Sequence, residues 1–318
     1  MKRPLQLKPI FIERMKELLG KDLDKYLAKI ETEPPRSIRC NTLKIEPQEL
    51  KKRLEEKGWK IKQPIKQHPE IMIVENELQP GELGRSLEHM LGYYYVQEFA
   101  SMLPAIVLNP QPEETILDLC ASPGSKTTQI AAKMENTGTL IANDVQLRRI
   151  KILSSNLERS GVANVIITKK EGFAFCNQAK KQNLLFDKIL IDAPCSGEGT
   201  LRTSPKTAVM WSLNNVKSLS GIQKSLLSNA IDILKIGGEI VYSTCTHSPE
   251  ENEEVLSEIL KQYPNMEIEK ITLPINTCPG ITKWQDKEYI EEVKFSCRIY
   301  PHEYDTEGFF IAKLRKVE

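Results

Sequence analysis

From residue 97 to the C-terminus, strand-like apolar segments alternate with helix-like segments, and this alternation restricts the fold more than any other feature. Parallel strands need long crossover connections, usually helices, so the pattern is typical of a parallel sheet covered on both faces. The predicted parallel strands are short apolar runs near residues 115–120, 139–143, 164–168, 187–191 and 239–243. Segments near 297–300 and 308–314 predict a terminal antiparallel hairpin. We therefore expect a doubly wound α/β domain over residues 96–318, with a mostly parallel seven-stranded sheet.

Residues 1–95 follow a different pattern, and we expect a separate, small α+β module there. Two short helices within residues 8–31 precede a strand, a helix and two strands, near 37–43, 47–57, 59–62 and 71–74. This order is similar to that of an RNA-recognition fold. Residues 1–62 hold 17 Lys/Arg against 10 Asp/Glu, although the whole chain carries a net charge of only +1. A basic arm favours a polyanionic partner, but a pair of solvated helices would show the same excess.

The composition is that of an ordinary globular enzyme, with 40% hydrophobic and 27% charged residues. No apolar run reaches the roughly 18 residues that span a bilayer, and the N-terminus lacks a signal-peptide core. The seven cysteines form no Cys-x-x-Cys pair, and the four histidines form no close pair. We therefore expect a cytoplasmic monomer with reduced thiols, no membrane segment and no metal site.

The first predicted strand of the alternating region runs into DLCASPGSKT at residues 118–127, where small residues precede a helix. Such a loop lets a ligand approach the backbone, and the helix N-terminus can hold an anionic group. A Walker A loop is excluded because Ser125 separates Gly124 from Lys126, and a dinucleotide fingerprint is excluded because Gly124 is the loop's only glycine. S-adenosylmethionine fits better, since its carboxylate suits the helix N-terminus.

Acidic residues follow the next two predicted strands. Asp144 stands where a carboxylate could bind the ribose hydroxyls of that cofactor, and Glu171 could accept a hydrogen bond from its adenine. Either acid could instead cap the helix that follows it. Arg149 lies on the helix after Asp144, where a cofactor contact and a solvated helix face are both open.

Two further strands each lead into a cysteine, within the segments DAPCSG at 192–197 and STCT at 243–246. Sites in open parallel sheets gather at the carboxyl ends of the strands, so Cys195 and Cys245 are expected at one edge. An isolated cysteine is more often a small buried hydrophobe. Two cysteines at one edge, with Asp192 three residues before the first, favour a chemical role.

Paired thiols suit methylation at carbon 5 of cytosine, which is by itself a poor nucleophile. A thiolate that adds to carbon 6 turns the ring into an enamine whose carbon 5 can attack a sulfonium methyl group. Asp192 is the candidate acid for ring nitrogen 3, and Lys126 could orient a base or lower the pKa of a thiol.

With these motifs, the chain resembles the Sun/Nop-type (RsmB-like) RNA cytosine-5 methyltransferases. The likeness covers nearly the whole length of the chain. The matching segments are PRSIRCNTLK at 35–44, YVQEFASMLP at 95–104, DLCASPGSKTTQIA at 118–131, DAPCSGEGTLR at 192–202, YSTCTHSPEENE at 242–253 and DTEGFFIAKL at 305–314. The resemblance implies a Rossmann-like S-adenosylmethionine-dependent methyltransferase domain, an enzyme of the EC 2.1.1 class.

The resemblance also implies roles for individual residues. Cys245 would form the covalent bond to carbon 6 and Cys195 would assist product release, although in the related DNA enzymes the Pro-Cys cysteine is the nucleophile. The family has Asp where this chain has Glu171. The residues expected at the cofactor are Cys120, Ala121, Ser122, Pro123, Gly124, Ser125, Lys126, Asp144, Arg149, Glu171 and Asp192.

RNA is the expected partner, with transfer RNA first, as in archaeal-type members, and ribosomal RNA second. The target base would have to leave its stack to meet a thiol. The residues expected to contact RNA phosphates are Arg36, Arg39, Asn41, Lys44 and Arg202. A methyltransferase-fold RNA-binding protein without activity, and a nitrogen- or oxygen-directed methyltransferase, remain alternatives.

Overall fold

A computed structural model describes residues 5–318, which form twelve α-helices and fifteen strands. The helices are α1 (Pro9–Leu19), α2 (Leu23–Ile30), α3 (Pro47–Glu56), α4 (Glu82–Arg85), α5 (Leu87–Met90), α6 (Phe99–Leu108), α7 (Ser125–Lys133), α8 (Leu147–Ser160), α9 (Gly172–Lys181), α10 (Lys206–Met210), α11 (Leu213–Asp232) and α12 (Glu253–Gln262). The strands are β1 (Arg36–Cys40), β2 (Ile61–Lys62), β3 (Ile71–Val74), β4 (Tyr94–Val96), β5 (Thr115–Asp118), β6 (Thr139–Asp144), β7 (Val165–Lys169), β8 (Phe186–Asp192), β9 (Leu234–Thr244), β10 (Met266–Glu269), β11 (Cys278–Pro279), β12 (Lys283–Trp284), β13 (Lys287–Glu288), β14 (Cys297–Ile299) and β15 (Phe309–Lys316).

These elements fall into two compact units. The first, here called the sheet unit, comprises Pro35–Asp192 and Asn229–Val241. The second, called the thiol unit, comprises Ala193–Ser228, Tyr242–Glu318 and the described residues up to Pro34. The expected module begins at residue 1, so its first four residues lie outside the described part.

The sheet unit contains the predicted parallel strands, in the order β9-β8-β5-β6-β7. The pairs β5–β6, β5–β8 and β6–β7 are parallel. Central residues such as Ile116 and Ile189 are fully buried, as expected of strands covered on both faces. Because the strands run in one direction, their last residues Asp118, Asp144 and Asp192 lie at one edge of the sheet.

A second, antiparallel sheet in the same unit has the order β2-β3-β1-β4. Its core includes Ile38, Leu54 and Trp59, so α3 packs on it through the apolar face that the sequence pattern predicts. Strand β4 (Tyr94–Val96) crosses the expected boundary after residue 95. The division into residues 1–95 and 96–318 remains a prediction.

In the thiol unit the strand order is β11-β14-β15, and β15 also pairs with β10. The pairs β14–β15 and β10–β15 are antiparallel, so the predicted terminal hairpin is confirmed. The predicted doubly wound α/β architecture is confirmed as well, and the short strands β10 and β11 add to the seven that were predicted. No helix in the described part of the chain is long and apolar enough to cross a membrane.

Candidate active site

The loop between β5 and α7 is anchored by a buried acid. Asp118 ends β5, and its Oδ2 accepts a hydrogen bond from Thr127 Oγ1 of α7 at 2.7 Å. Gly124 N donates to Ala121 O at 2.8 Å and closes the turn before the helix. Burial raises the pKa of Asp118 to about 7, while the bond from Thr127 opposes that rise. Strand, loop and helix are therefore held together by contacts that do not involve a ligand.

Gly124 keeps the loop free of side-chain bulk. Its φ is +103°, a conformation that favours glycine, and a Cβ there would lie 3.0 Å from Leu153 Cδ1. Ser122 Oγ and Asp118 Oδ1 are buried without a hydrogen-bond partner among the described residues. A bare backbone beside unpaired polar atoms fits a polar cofactor bound along the loop.

Asp144 lies against this loop from the end of β6. Its carboxylate is buried and accepts hydrogen bonds from Ser122 N at 3.3 Å and Gln146 N at 3.0 Å. The bond from Gln146 is a local turn contact and not a helix cap, because Gln146 is itself the N-cap residue of α8 and no side chain caps that helix. Arg149 lies 3.4 Å from Asp144 Oδ2 and donates to Ser122 O at 2.6 Å. Arg149 is thus part of the loop's support and not only a solvated side chain.

Two other predicted cofactor residues differ in their surroundings. Glu171 is exposed at the N-cap position of α9, but its side chain makes no capping hydrogen bond. The cap expected as an alternative is therefore not formed. Cys120 lies in the loop, and burial raises its pKa well above the usual range, so it is a neutral thiol.

Lys126 links the loop helix to the end of β8. Its side chain is buried, and its Nζ donates to Asp192 Oδ2 at 2.7 Å and to Ser101 Oγ at 2.8 Å. The ammonium group therefore orients the Asp192 carboxylate, whereas the expected roles of Lys126, orienting a base or lowering the pKa of a thiol, remain predictions.

In the thiol unit, the structure brings the two predicted cysteines together. Cys195 Sγ and Cys245 Sγ are 3.3 Å apart, and both cysteines are free thiols. The hydrogen bond with Cys245 raises the pKa of Cys195 well above its usual range, and burial adds to the rise. At this distance the two thiols form a hydrogen bond in which either sulfur can be the donor.

A buried acid beside the thiols was missed by the sequence reasoning. Glu251 is fully buried, and its Oε2 accepts hydrogen bonds from Ser196 N and from Gln223 Nε2, each at 2.9 Å. It stands in the acidic run PEENEE, residues 249–254. Several carboxylates of that run are buried, and nothing in the run marks Glu251 as the one that contacts the residues next to the cysteines.

Two residues predicted to contact RNA are instead part of the interior of the sheet unit. Arg39 is only 2% exposed, and its Nη2 donates to Thr128 Oγ1 at 2.7 Å. Asn41 is buried, and its Nδ2 donates to Gly92 O and Ser160 O at 2.8 Å. Because these donors are used inside the protein, the expectation of phosphate contacts is corrected for both residues.

Arg202 requires the same correction within the thiol unit. It is 1% exposed and donates to Thr306 O at 2.9 Å and Glu33 O at 2.8 Å. Arg36 and Lys44 are exposed, although Lys44 Nζ also donates to backbone carbonyls. Of the five predicted phosphate contacts, Arg36 and Lys44 are the ones accessible to a partner.

A parallel sheet with a terminal antiparallel hairpin, a bare loop after its first strand and acids at the strand ends define an S-adenosylmethionine-dependent methyltransferase. Residues 105–315 match the family described as 16S rRNA methyltransferase RsmB/F. Residues 7–99 match the N-terminal domain of 16S rRNA methyltransferase RsmF. The chain belongs to the RsmB/F methyltransferase family, which confirms the resemblance found from its motifs.

Two relatives illustrate the family. The chain is 44% identical over 280 residues to the tRNA (cytosine(49)-C(5))-methyltransferase of Pyrococcus abyssi, covering 88% of each protein. It is 37% identical over 311 residues to ribosomal RNA small subunit methyltransferase F of Vibrio cholerae, covering 96% of this chain. The chain spans only 63% of the length of that second relative.

Solved structures agree with the family assignment. A methyltransferase homolog protein from Pyrococcus horikoshii has a TM-score of 0.86 at 36% identity, covering 98% of this chain and 96% of that one. The crystal structure of NSun6 from Pyrococcus horikoshii with SFG has a TM-score of 0.85 at 26% identity, covering 99% and 100%. S-adenosylmethionine is the cofactor of this fold.

Proposed function

We propose that this protein is an RNA (cytosine-5-)-methyltransferase that forms 5-methylcytidine in transfer RNA. The observation that carries the proposal is the 3.3 Å separation of the Cys195 and Cys245 sulfurs. A nitrogen or oxygen acceptor attacks a methyl group with its own lone pair and needs no thiol, whereas cytosine carbon 5 needs prior activation. The tRNA (cytosine(49)-C(5))-methyltransferase relative supports transfer RNA as the substrate.

The loop between β5 and α7 would hold the cofactor, which supplies an electrophilic methyl group when bound. Backbone groups at the start of α7 would bind its carboxylate. Asp144 would accept from the ribose hydroxyls, and Glu171 would accept from the adenine amino group. The remaining residues proposed to line this site are Cys120, Ala121, Ser122, Pro123, Gly124, Ser125, Lys126, Arg149 and Asp192.

Cys245 acts as the nucleophile. Cys195 lies within hydrogen-bond distance of the Cys245 sulfur, at 3.3 Å, so its S–H can stabilise the Cys245 thiolate. The Cys245 thiolate forms a bond to carbon 6 of cytosine, and the electron pair of the 5,6 double bond makes carbon 5 nucleophilic. After methylation, a water molecule acting as base takes the carbon 5 proton, and the electron pair of that C–H bond re-forms the 5,6 double bond as the carbon–sulfur bond breaks. Cys195 then donates its S–H to the departing sulfur and assists release.

Asp192 and Lys126 serve the target base. Asp192 precedes Cys195 by three residues in the chain, and Lys126 fixes its carboxylate at 2.7 Å. We assign Asp192 to ring nitrogen 3 of cytosine: in its protonated form the carboxyl group donates its proton to nitrogen 3, and protonation there favours attack at carbon 6.

The remaining assignments concern the RNA. The basic residues 1–95 form an RNA-binding module, residues 96–318 carry catalysis, and the match of residues 7–99 to a separate family domain supports this division. Arg36 and Lys44 are the phosphate contacts of that module. Ribosomal RNA is the second candidate substrate, supported by the small-subunit methyltransferase relative. We place the enzyme in the cytoplasm as a monomer.

The test uses labelled S-adenosylmethionine with bulk transfer RNA or 16S ribosomal RNA, followed by identification of the labelled nucleoside. Labelled 5-methylcytidine is expected from transfer RNA, and another methylated nucleoside would contradict the proposal. Cys195→Ala should accumulate a denaturation-resistant protein–RNA adduct, whereas Cys245→Ala should form none. The opposite pattern would reverse the roles of the two thiols.

A further inference from the structure

We infer that Glu251 is a positioning residue that holds the Cys195 and Cys245 segments in the arrangement needed for turnover. The inference rests on the proposed function and extends it to a residue outside the substrate's reach. Glu251 ends a short helical turn, Pro249–Glu251, and its side chain is fully buried. A buried carboxylate is costly unless it is hydrogen-bonded, so its partners indicate what it does.

Those partners immediately follow the two cysteines. Ser196 donates both its backbone N–H, at 2.9 Å, and its hydroxyl to Glu251. Thr246 Oγ1 lies 3.4 Å from Glu251 Oε1 and 2.8 Å from Ser196 Oγ. One carboxylate therefore bridges the residue after Cys195 and the residue after Cys245.

The bridge is itself fixed from two sides. Gln223 Nε2 donates to Glu251 Oε2 at 2.9 Å and to Pro194 O at 2.8 Å, so α11 ties the acid to the residue before Cys195. Tyr242 OH donates to Glu251 O at 2.6 Å and holds the backbone of the turn. Burial raises the pKa of Glu251 to about 7, and the bonds from Ser196 and Gln223 oppose that rise.

The hydrogen bonds of Glu251 predict different effects for its replacement by alanine and by glutamine. Alanine removes the bridge and leaves Ser196 N–H without its acceptor. Glutamine can keep its carbonyl oxygen toward Ser196 N–H and Gln223, while its amide faces the two hydroxyls, which can rotate to accept. If Glu251 acts by positioning its neighbours and not by its charge, Glu251→Gln should retain most of the kcat that Glu251→Ala loses.

The experiment measures kcat and KM for S-adenosylmethionine and transfer RNA in the full-length chain. Glu251→Ala should lower kcat about 10- to 100-fold with little change in either KM, because small misplacements of reacting groups cost up to about that much. Glu251→Gln should recover to within about tenfold of the native enzyme. The matched control is Glu250→Ala, which removes a neighbouring carboxylate bonded to Arg14 and not to the thiol segments.

Retention of native kcat by Glu251→Ala, or an equal loss in Glu250→Ala, would overturn the inference. If Glu251→Ala does not fold, the same measurement is made on Ser196→Ala, which removes the hydroxyl that donates to Glu251. An unchanged kcat in Ser196→Ala would also contradict the inference. Alkylation of Cys195 and Cys245 by iodoacetamide, followed by peptide mass spectrometry, gives a readout without methylation. The alkylation rates of the two cysteines should differ between the native protein and Glu251→Ala, even if the native protein forms no 5-methylcytidine. Equal alkylation rates would contradict the role of Glu251 and leave the proposed function unaffected.

Discussion

Replacing Arg202 with methionine is expected to destabilise the protein and to leave its affinity for RNA unchanged. The guanidinium group is enclosed within the thiol unit and donates hydrogen bonds to the carbonyl oxygens of Thr32, Glu33 and Thr306. It also bonds to Asp305 Oδ1 at 2.8 Å. Methionine has a similar length but no donor, so the change removes the hydrogen bonds and largely preserves the packing.

The size of the effect follows from which bonds are buried. The side chain of Asp305 is 51% exposed, so that ion pair contributes less than about 1 kcal/mol. The carbonyl of Thr306 is buried, and leaving it without a donor costs about 1–3 kcal/mol, whereas the carbonyls of the exposed residues Thr32 and Glu33 can bond to water and cost less. We expect a loss of about 2–4 kcal/mol in the free energy of unfolding. With an unfolding entropy of about 2.1 cal/mol/K per residue, a 318-residue chain should lose about 3–6 °C in Tm.

Differential scanning calorimetry measures the shift, and filter binding to transfer RNA at several salt concentrations measures the affinity well below Tm. The matched control is Arg36→Met, because Arg36 is exposed and donates only a 3.3 Å bond to Leu78 O. Its Tm should move by less than about 1 °C, and its RNA affinity should fall with a shallower salt dependence.

The opposite outcome for Arg202 would refute the reasoning. If Arg202→Met keeps its Tm but binds RNA about tenfold more weakly, with a reduced salt slope, then the guanidinium group contacts phosphate. Its burial would then not describe the RNA-bound protein.

Two further predictions concern the loop after β5. Gly124→Ala should lower the free energy of unfolding by about 1–3 kcal/mol, because alanine is strained in the backbone conformation of Gly124. Calorimetric titration should show that the variant binds S-adenosylmethionine about tenfold more weakly. An unchanged affinity would exclude contact between the cofactor and the backbone at this residue. Burial raises the pKa of Asp118 from its ordinary 3.8 to about 7, so between these values the folded state holds a proton that the unfolded state has lost. The contribution of Asp118 to stability therefore falls as pH rises toward 7. In Asp118→Asn, Tm should fall less between about pH 5 and pH 7 than it does in the native protein. Parallel curves of Tm against pH for the two proteins would contradict this.

The alternating region was predictable because its strands are short apolar runs that end in polar residues. Strands β5 and β8, at Thr115–Asp118 and Phe186–Asp192, begin or end within two residues of the predicted positions. The small strands β10 to β13 were not predicted, because two to four residues are too few to show a period. The cysteines and strand-end acids were found because their position after a strand is visible in sequence.

Burial of charged residues was not predictable in the same way. Arg39 and Arg202 look like surface cations by type, but their acceptors are backbone and side-chain oxygens from segments far away along the chain. Backbone carbonyls are present at every residue, so composition cannot show where several of them converge. Glu251 was missed for the related reason that its donors come from α11 and from the segments after both cysteines.

Arg39 also limits how freely the N-terminal segment could be exchanged or removed. It stands on β1, and its donors reach Ser125 O and Thr128 Oγ1 at the start of α7. A truncated protein beginning near residue 96 would leave these two groups without the donors that Arg39 supplies. A chimaera that takes this segment from another methyltransferase would have to bring a guanidinium group to the same place. The small antiparallel sheet is thus a structural support for helix α7, in addition to the RNA contacts proposed for it.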